Sequence, residues 1–283
     1  MVRSEMAEHQ TPISVTVIEP GRRRLAEEMS ALLQYRDLLY FLTKREVTVR
    51  YKQTLLGVSW AILQPLLSVI VFSVFLGRLA GVPSDRIPYP LFAYLGLLPW
   101  TYFSSAISRS TMSLAAHASL LGKVYFPRIL IPLAAVLSAL VDFLLASLVL
   151  VGLMYYYGVR PAETAILFLP LTALAALLAL SVGMWLSALN VRYRDVQQVT
   201  PFLLQLWMFA TPVVYPGSLV PEKYRFWFHL NPAAGVIAGY RDAILGNPMD
   251  WPALSISSAL ALVFFALGLW QFRRMDRFFA DVA

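Results

Sequence analysis

The stretch ILIPLAAVLSALVDFLLASLVLVGLMYYY, residues 129–157, decides the class of this protein, because its only charged residue is Asp142. One bilayer crossing consumes ~20 consecutive apolar residues, and this run exceeds that. The same pattern repeats on both sides. Apolar runs occupy Leu55–Leu76 (interrupted by Gln64-Pro65), Leu91–Ile107, Ala165–Leu189, Val199–Val214 and Leu254–Phe272. Six runs predict an all-α integral membrane protein with six transmembrane helices.

Composition points the same way. Hydrophobic residues make up 59% of the 283 positions and charged residues 14%, against about a quarter charged in a soluble domain. That length holds six spans and their loops without a large soluble domain, so any energy source must lie on another chain. The formal charge is +7. A nucleic-acid binder interleaves basic residues with aromatics on a polar surface. Here Lys and Arg sit between apolar runs, as in membrane proteins whose basic residues mark the cytoplasmic ends, and no nucleic-acid partner is expected. The absence of Cys rules out disulfides, thiolate metal sites and Cys nucleophiles.

Residues 1–28 contain Pro12, Glu19, Arg22, Arg23 and Arg24 and lack the apolar stretch of a cleavable signal, so they read as a mobile tail retained in the cytoplasm. Over 29–53, Leu32, Leu39, Leu42 and Val49 recur at helical spacing among Arg36, Asp37, Lys44, Arg45, Glu46, Arg50 and Lys52. This predicts an amphipathic helix lying on membrane lipid at the inner surface, with an ordinary solvated helix as the alternative. The six-span domain follows over 54–272, and 273–283 forms a short basic cytoplasmic tail.

The positive charges test this topology. With the N-terminus inside, Lys and Arg number nine before the first span, three between the second and third, two between the fourth and fifth, and three in the tail. The outside loops hold two, one and three. The bias has the sign that places both termini in the cytoplasm.

The stretch 211–252 is rich in Pro, yet it contains apolar pieces, Arg225–Leu230 and Ala233–Ile244, too short to cross alone. Re-entrant helices over about 215–250 fit, because irregular backbone is tolerated at membrane depth where protein or water covers it. A plain outer loop is the alternative. Gly77/Gly81 and Gly235/Gly239 have the spacing of close helix contacts.

Chemistry of the chain's own is hard to find. Gly122-Lys123-Val124 lacks the remainder of a phosphate-cradling loop. The three His (His9, His117, His229) are too dispersed for a metal site, and nothing marks a catalytic residue or cofactor site. Asp142, midway along the third run, stands out: a charge there costs on the order of 3 kcal/mol and faces a bundle interior. It reads as a pore-lining or helix-locking carboxylate, or as a carboxyl satisfied by Ser138 or another hydroxyl. Arg109 is expected to snorkel to the cytoplasmic surface. Trp100, Tyr155 to Tyr157 and Tyr215 suit interfacial belts. Trp60, Phe202, Trp207 and Phe209 are candidates to line a path, since sugar rings pack C–H faces on aromatic planes.

Four segments in order resemble the ABC-2 type permeases that export polysaccharides. Arg50 to Pro65 (RYKQTLLGVSWAILQP) is similar to the start of their first span, and Lys123-Val124-Tyr125-Phe126-Pro127-Arg128 to their second-to-third loop. Leu189 to Val196 (LNVRYRDV) resembles their fourth-to-fifth loop, and Asn231-Pro232 followed by Tyr240-Arg241 resembles the segment before their last span. The resemblance covers about residues 30–275. It implies a homodimer joined to two copies of a separate ATP-binding cassette subunit, which would carry ATP and Mg. Lipid-linked polysaccharide such as O-antigen, capsule or teichoic acid would be the substrate. It further implies ATPase contacts along 35–53 and 113–127, with Arg45, Glu46, Arg50, Leu121, Lys123 and Tyr125 as candidates. The re-entrant segment would be the outer gate, with candidates Tyr224, Trp227, Asn231, Pro232 and Tyr240. Three other readings compete: an ABC-2 permease for a small molecule or lipid, a secondary transporter driven by protons through Asp142, and a membrane enzyme acting on lipid-linked sugars.

Overall fold

A computed structural model describes residues 33–52, 56–84, 87–121 and 126–282. The tail expected over 1–28, together with Lys123 and Tyr125, lies outside the described residues, as does the side chain of Leu121. Among the described residues regular structure is wholly helical. A peripheral helix, α1 (Arg36–Tyr51), precedes a long helix that begins as 3₁₀ at Gly57–Ser59, continues as α2 (Trp60–Phe72) and ends in a π segment, Ser73–Leu79. Then come α3 (Tyr89–Ala116), the single turn α4 (Ala118–Leu121), α5 (Leu130–Tyr156), and α6 (Phe168–Arg192) with its 3₁₀ lead-in Glu163–Leu167. The chain closes with α7 (Val196–Phe209), α8 (Glu222–His229), α9 (Pro232–Leu245) and α10 (Trp251–Val282).

Among the described residues, four segments are long and apolar enough to cross a membrane: Gly57–Leu79, Leu130–Tyr156, Glu163–Arg192 and Trp251–Met275. Pro65 interrupts the apolar pattern of the first but not its helix. The second and fourth apolar runs of the sequence extend further as helix than their apolarity does. In particular, the polar stretch from Ser108 remains helical to Ala116. The reason is local: Thr111 donates its hydroxyl to the Ile107 carbonyl at 2.8 Å and Ser113 to Ser110 at 2.7 Å. Hydroxyls bonded back to their own helix can be buried without a partner elsewhere.

Helix α3 is the hub, packing against α2, α5, α6, α7 and α9. Being covered on most sides, it needs little lipid-facing apolar surface, which is why its hydropathy is lower than its neighbours'. At 28 residues it is about 42 Å long. The 14 residues of α7 rise only about 21 Å, and those of α9 the same. The apolar pieces of the Pro-rich stretch therefore exist as two short helices, α8 and α9, and α9 is buried along most of its length.

Close approach depends on small residues. A methyl on Gly235 would come within 2.8 Å of the Ala253 carbonyl oxygen, and one on Gly268 within 2.6 Å of the Ser181 oxygen. Gly239 meets Leu171 and Leu254, so the Gly235/Gly239 pair is indeed a contact surface, against α6 and α10. Gly81 differs: its φ is +62° and nothing lies near it, so it serves the turn after α2. The tightest position is Gly96 on α3. Arg241, buried on α9, donates from Nη1 to the Pro212 carbonyl at 2.6 Å and from Nη2 to that of Val213, and lies 4.0 Å from the centre of the Phe92 ring. Tyr89 holds the Val214 carbonyl at 2.8 Å. The turn after α7 is thus clamped onto α3 at Gly96.

Gly96→Ala would drive its methyl into the Val213 carbonyl and the Arg241 guanidinium, at a cost of about 2 kcal/mol. Its thermal unfolding midpoint in detergent should fall by several degrees. Gly152→Ala, where nothing lies within 4 Å, should not lower the midpoint.

Candidate functional site

Asp142 sits about 18 Å along α5 from its first residue, in the middle of an aliphatic helix. Three side chains from two other helices converge on it. From the C-terminal end of α1, Arg50 Nη1 donates to Oδ2 at 2.7 Å and the Tyr51 hydroxyl to Oδ1 at 2.5 Å. From α3, Arg109 Nη2 donates to Oδ2. The side chains of Arg50, Arg109 and Asp142 are 25%, 20% and 19% exposed, so the pairs are mostly withdrawn from water. Arg50 Nη2 also reaches Ser138 at 3.5 Å, while Ser138 donates to Ala135. Asp142 is therefore a helix lock made with guanidinium groups rather than a carboxyl satisfied by Ser138. Arg109 does not snorkel outward as expected; its pairing with the Asp142 carboxylate holds it inside against the cost of desolvation. Burial first, and then the hydrogen bond to Asp142, push the Tyr51 hydroxyl above its ordinary range, so it remains a donor.

The same face of α1 makes the other anchors. Leu42, Glu46 and Arg50 are spaced by four and share one side of the helix. Leu42 is buried, and Glu46 lies 3.6 Å from His117 Nε2 beyond the end of α3. Lys44 and Arg45 are exposed, as are Tyr40, Phe41 and Val49. Among the candidate ATPase contacts, Glu46 and Arg50 thus face the bundle while Arg45 faces away from it.

Beside the lock is a cavity of about 230 Å³ between α1, α2, α3 and α5, with Trp60, Gln64, Tyr102 and Ser105 among its lining residues. Trp60 is separated in this way from the other path candidates. Phe202 and Phe209 lie exposed on α7. Trp207 instead turns inward, edge-on to Phe103 at 5.1 Å and Trp100 at 6.3 Å, so Trp100 is a core residue rather than part of an interfacial belt.

The gate candidates divide similarly. Asn231 caps α9 by accepting from the Ala233 amide at 3.1 Å, accepts from Trp207 Nε1 at 2.9 Å, and donates to the Ala210 carbonyl and the Thr211 hydroxyl at 3.1 and 2.8 Å. It is a latch between α7 and α9. Pro232 is buried at the first position of α9, the favoured place for its fixed φ. Tyr240 is core: 1% exposed, 2.7 Å from the Thr172 hydroxyl and packed on Phe168. Tyr224 and Trp227 are exposed on α8.

The sequence places Arg241 among the outside charges and in the Tyr240-Arg241 match without a structural role, and it assigns no role to Tyr51 or Tyr102. The signal for Arg241 was the one that marked Asp142, a charge inside an apolar segment. No sequence signal distinguishes Tyr51 or Tyr102 from other aromatics. Among the described residues, no group of three His, Cys, Asp or Glu could hold a metal ion.

Apolar helices of spanning length around a polar hub, with a charged helix bolted to their side, define a multi-span membrane protein. The chain belongs to the ABC-2 type transporter family, which matches residues 37–245. It is 30% identical over 248 residues to an O-antigen export system permease protein of Klebsiella pneumoniae, covering 87% of this chain and 95% of that one. A Myxococcus xanthus protein of the same description is 31% identical over 251 residues, with the same coverage. The Escherichia coli polysialic acid transport protein KpsM is 27% identical over 234 residues, covering 82% of this chain and 91% of its own.

Asp142→Asn leaves two mostly buried guanidiniums without a counter-charge and should cost about 3 kcal/mol. Arg50→Gln leaves Asp142 paired with Arg109 and Tyr51 and should cost closer to ~1 kcal/mol. Thermal midpoints of the purified variants should fall in that order; equal midpoints would show that the carboxylate does not lock the helices.

Proposed function

We propose that this chain is the channel-forming transmembrane subunit of an ATP-driven exporter that carries lipid-linked, O-antigen-like polysaccharide across the cytoplasmic membrane. The observation carrying this reading is the alignment with export permeases over 87% of this chain and 95% of theirs. The working unit is a homodimer bound to two copies of an ATP-binding cassette subunit, which supplies ATP and Mg. The outward-facing apolar side chains of α2, its π extension and α7, among them Leu67, Phe75, Phe202 and Phe209, are consistent with a path formed between two copies.

Six crossings are reached when α3 and α7 are added to the four apolar segments, α7 through the clamped turn that follows it. The short helices α8 and α9 then re-enter from the outer side as a gate, and both termini lie in the cytoplasm. The ATPase docks on the outward side of α1 at Arg45 and at Leu121, Lys123 and Tyr125. Its movement on ATP binding is transmitted by Glu46 and Arg50 to α3 and α5. Trp60, Phe202 and Phe209 offer ring faces to passing sugars, while Asn231 and Trp207 hold the gate helices in register. Asp142, engaged by three donors, acts as the joint of this machine rather than as a proton carrier.

Deleting the chain from its host should leave polymer trapped on the cytosolic side of the membrane, and restoring it should return polymer to the surface. Normal surface polymer after deletion would favour a small-molecule or lipid cargo instead.

A further inference from the structure

A groove of about 780 Å³ separates the C-terminal part of α5 from the first turns of α6, and Ile244 at the end of α9 is among its lining residues. From Ser147 to Tyr155 it follows α5 for about 12 Å. Leu150, Met154, Phe168 and Leu169 make its wall apolar. The Ser147 hydroxyl, which donates to the Phe143 carbonyl at 2.7 Å, is already engaged. The two other polar side chains of the lining, Tyr155 and Arg160, stand at one end, where α5 stops and the chain turns at Gly158 (φ +67°). Tyr155 is 90% exposed. Arg160 is exposed as well and forms no ion pair or hydrogen bond among the described residues. The groove is an apolar trough with an uncompensated cation at its mouth.

We propose that this groove holds a resident phospholipid of the surrounding bilayer, with an acyl chain along the trough and the anionic headgroup on Arg160. Hydrocarbon is what such a wall selects, since a sugar or a peptide would leave its own polar groups unpaired there. An exposed guanidinium is matched by phosphate oxygens, and a Tyr at the mouth suits the headgroup level of a membrane. The volume falls within the ~300–1,000 Å³ of pockets that enclose a whole small molecule. Helices α2 and α7, assigned above to the contact between copies, contribute no lining residue. The groove therefore stays open to lipid in a dimer built that way, and to this extent the inference rests on the proposed assembly. Its consequence is mechanical. The Ala162 amide donates to the Ile244 carbonyl at 3.0 Å and the Thr164 hydroxyl to that of Ala243 at 2.7 Å. The α5–α6 connection is thus stitched to the end of α9, and a seated lipid braces α9 against both helices.

The chain has no Cys, so Ile166→Cys places a single thiol on the groove wall at a position 75% exposed. Leu262→Cys places one on α10, 60% exposed and outside the groove. Each full-length variant, delipidated in maltoside detergent and labelled on its thiol with a small fluorophore, is titrated with phosphatidylglycerol brominated in its acyl chains. Quenching at position 166 should saturate and be reversed by unbrominated phosphatidylglycerol, whereas quenching at 262 should rise in proportion to lipid. Adding Arg160→Gln should raise the half-saturating lipid concentration at position 166 about fivefold. If Ile166→Cys does not fold, Leu169→Cys on the same wall, also exposed, takes its place. Proportional quenching at both positions, or saturation unaltered by Arg160→Gln, would overturn the proposal. So would quenching at 262 with none at 166, which would show the groove covered by a second copy of the chain. No exported polymer is present, so failure here leaves the export reading to its own deletion test.

Discussion

Two guanidiniums and a phenol share one carboxylate at Asp142, and the geometry of the remaining chain follows from keeping them there. Withdrawing such charges from water costs several kcal/mol per ion unless the partners are well placed, and removing one partner strands the others. Arg50 and Tyr51 come from the end of α1, Arg109 from α3 and Asp142 from α5, so the pairing fixes the relative position of three helices at once. The amphipathic helix is consequently part of the bundle's interior electrostatics and not simply a passenger on its surface. Its attachment joins buried Leu42 to these ion pairs, which make it specific in register and direction.

A second polar assembly governs the opposite part of the bundle. Arg241 grips the turn after α7, Asn231 caps α9 while holding Trp207, and Tyr89 secures the next carbonyl. Backbone carbonyls released where α7 stops would be expensive in an apolar setting; these side chains satisfy several of them. This is how a segment with so many prolines can be packed tightly against α3, with Gly96 supplying the space.

Much of the fold was legible because lipid-facing helices advertise themselves. The runs of α2, α5, α6 and α10 are predominantly apolar, and their helices stand where those runs stand. The end of α3 was harder to read, since its Thr111 and Ser113 are buried through bonds to their own helix, a pattern indistinguishable in sequence from a polar loop. Asp142 was visible as a lone charge, but its partners Arg50 and Arg109 lie 92 and 33 residues away. Charges that serve as topology markers are structural as well: Arg109, expected at the cytoplasmic surface, and Arg241, counted with the outside charges, are both inside. Among the aromatics, composition could not tell Phe202, exposed on α7, from Trp207, which is half-buried against the core.

Membership of the ABC-2 type transporter family and an interior joint on α1 together suggest how force could travel. A partner pushing on the outer side of α1 meets a helix whose inner side is tied by Leu42, Glu46 and Arg50 to the bundle. The central claim is that this tie carries the stroke. The most direct measurement reconstitutes the permease with its ATPase partner and compares ATP hydrolysis with polymer export in Arg50→Gln, which frees α1 while leaving Asp142 paired with Arg109 and Tyr51. Hydrolysis should persist while export falls by about tenfold, a loss of ~1.4 kcal/mol in coupling. Unchanged export in that variant would contradict the account.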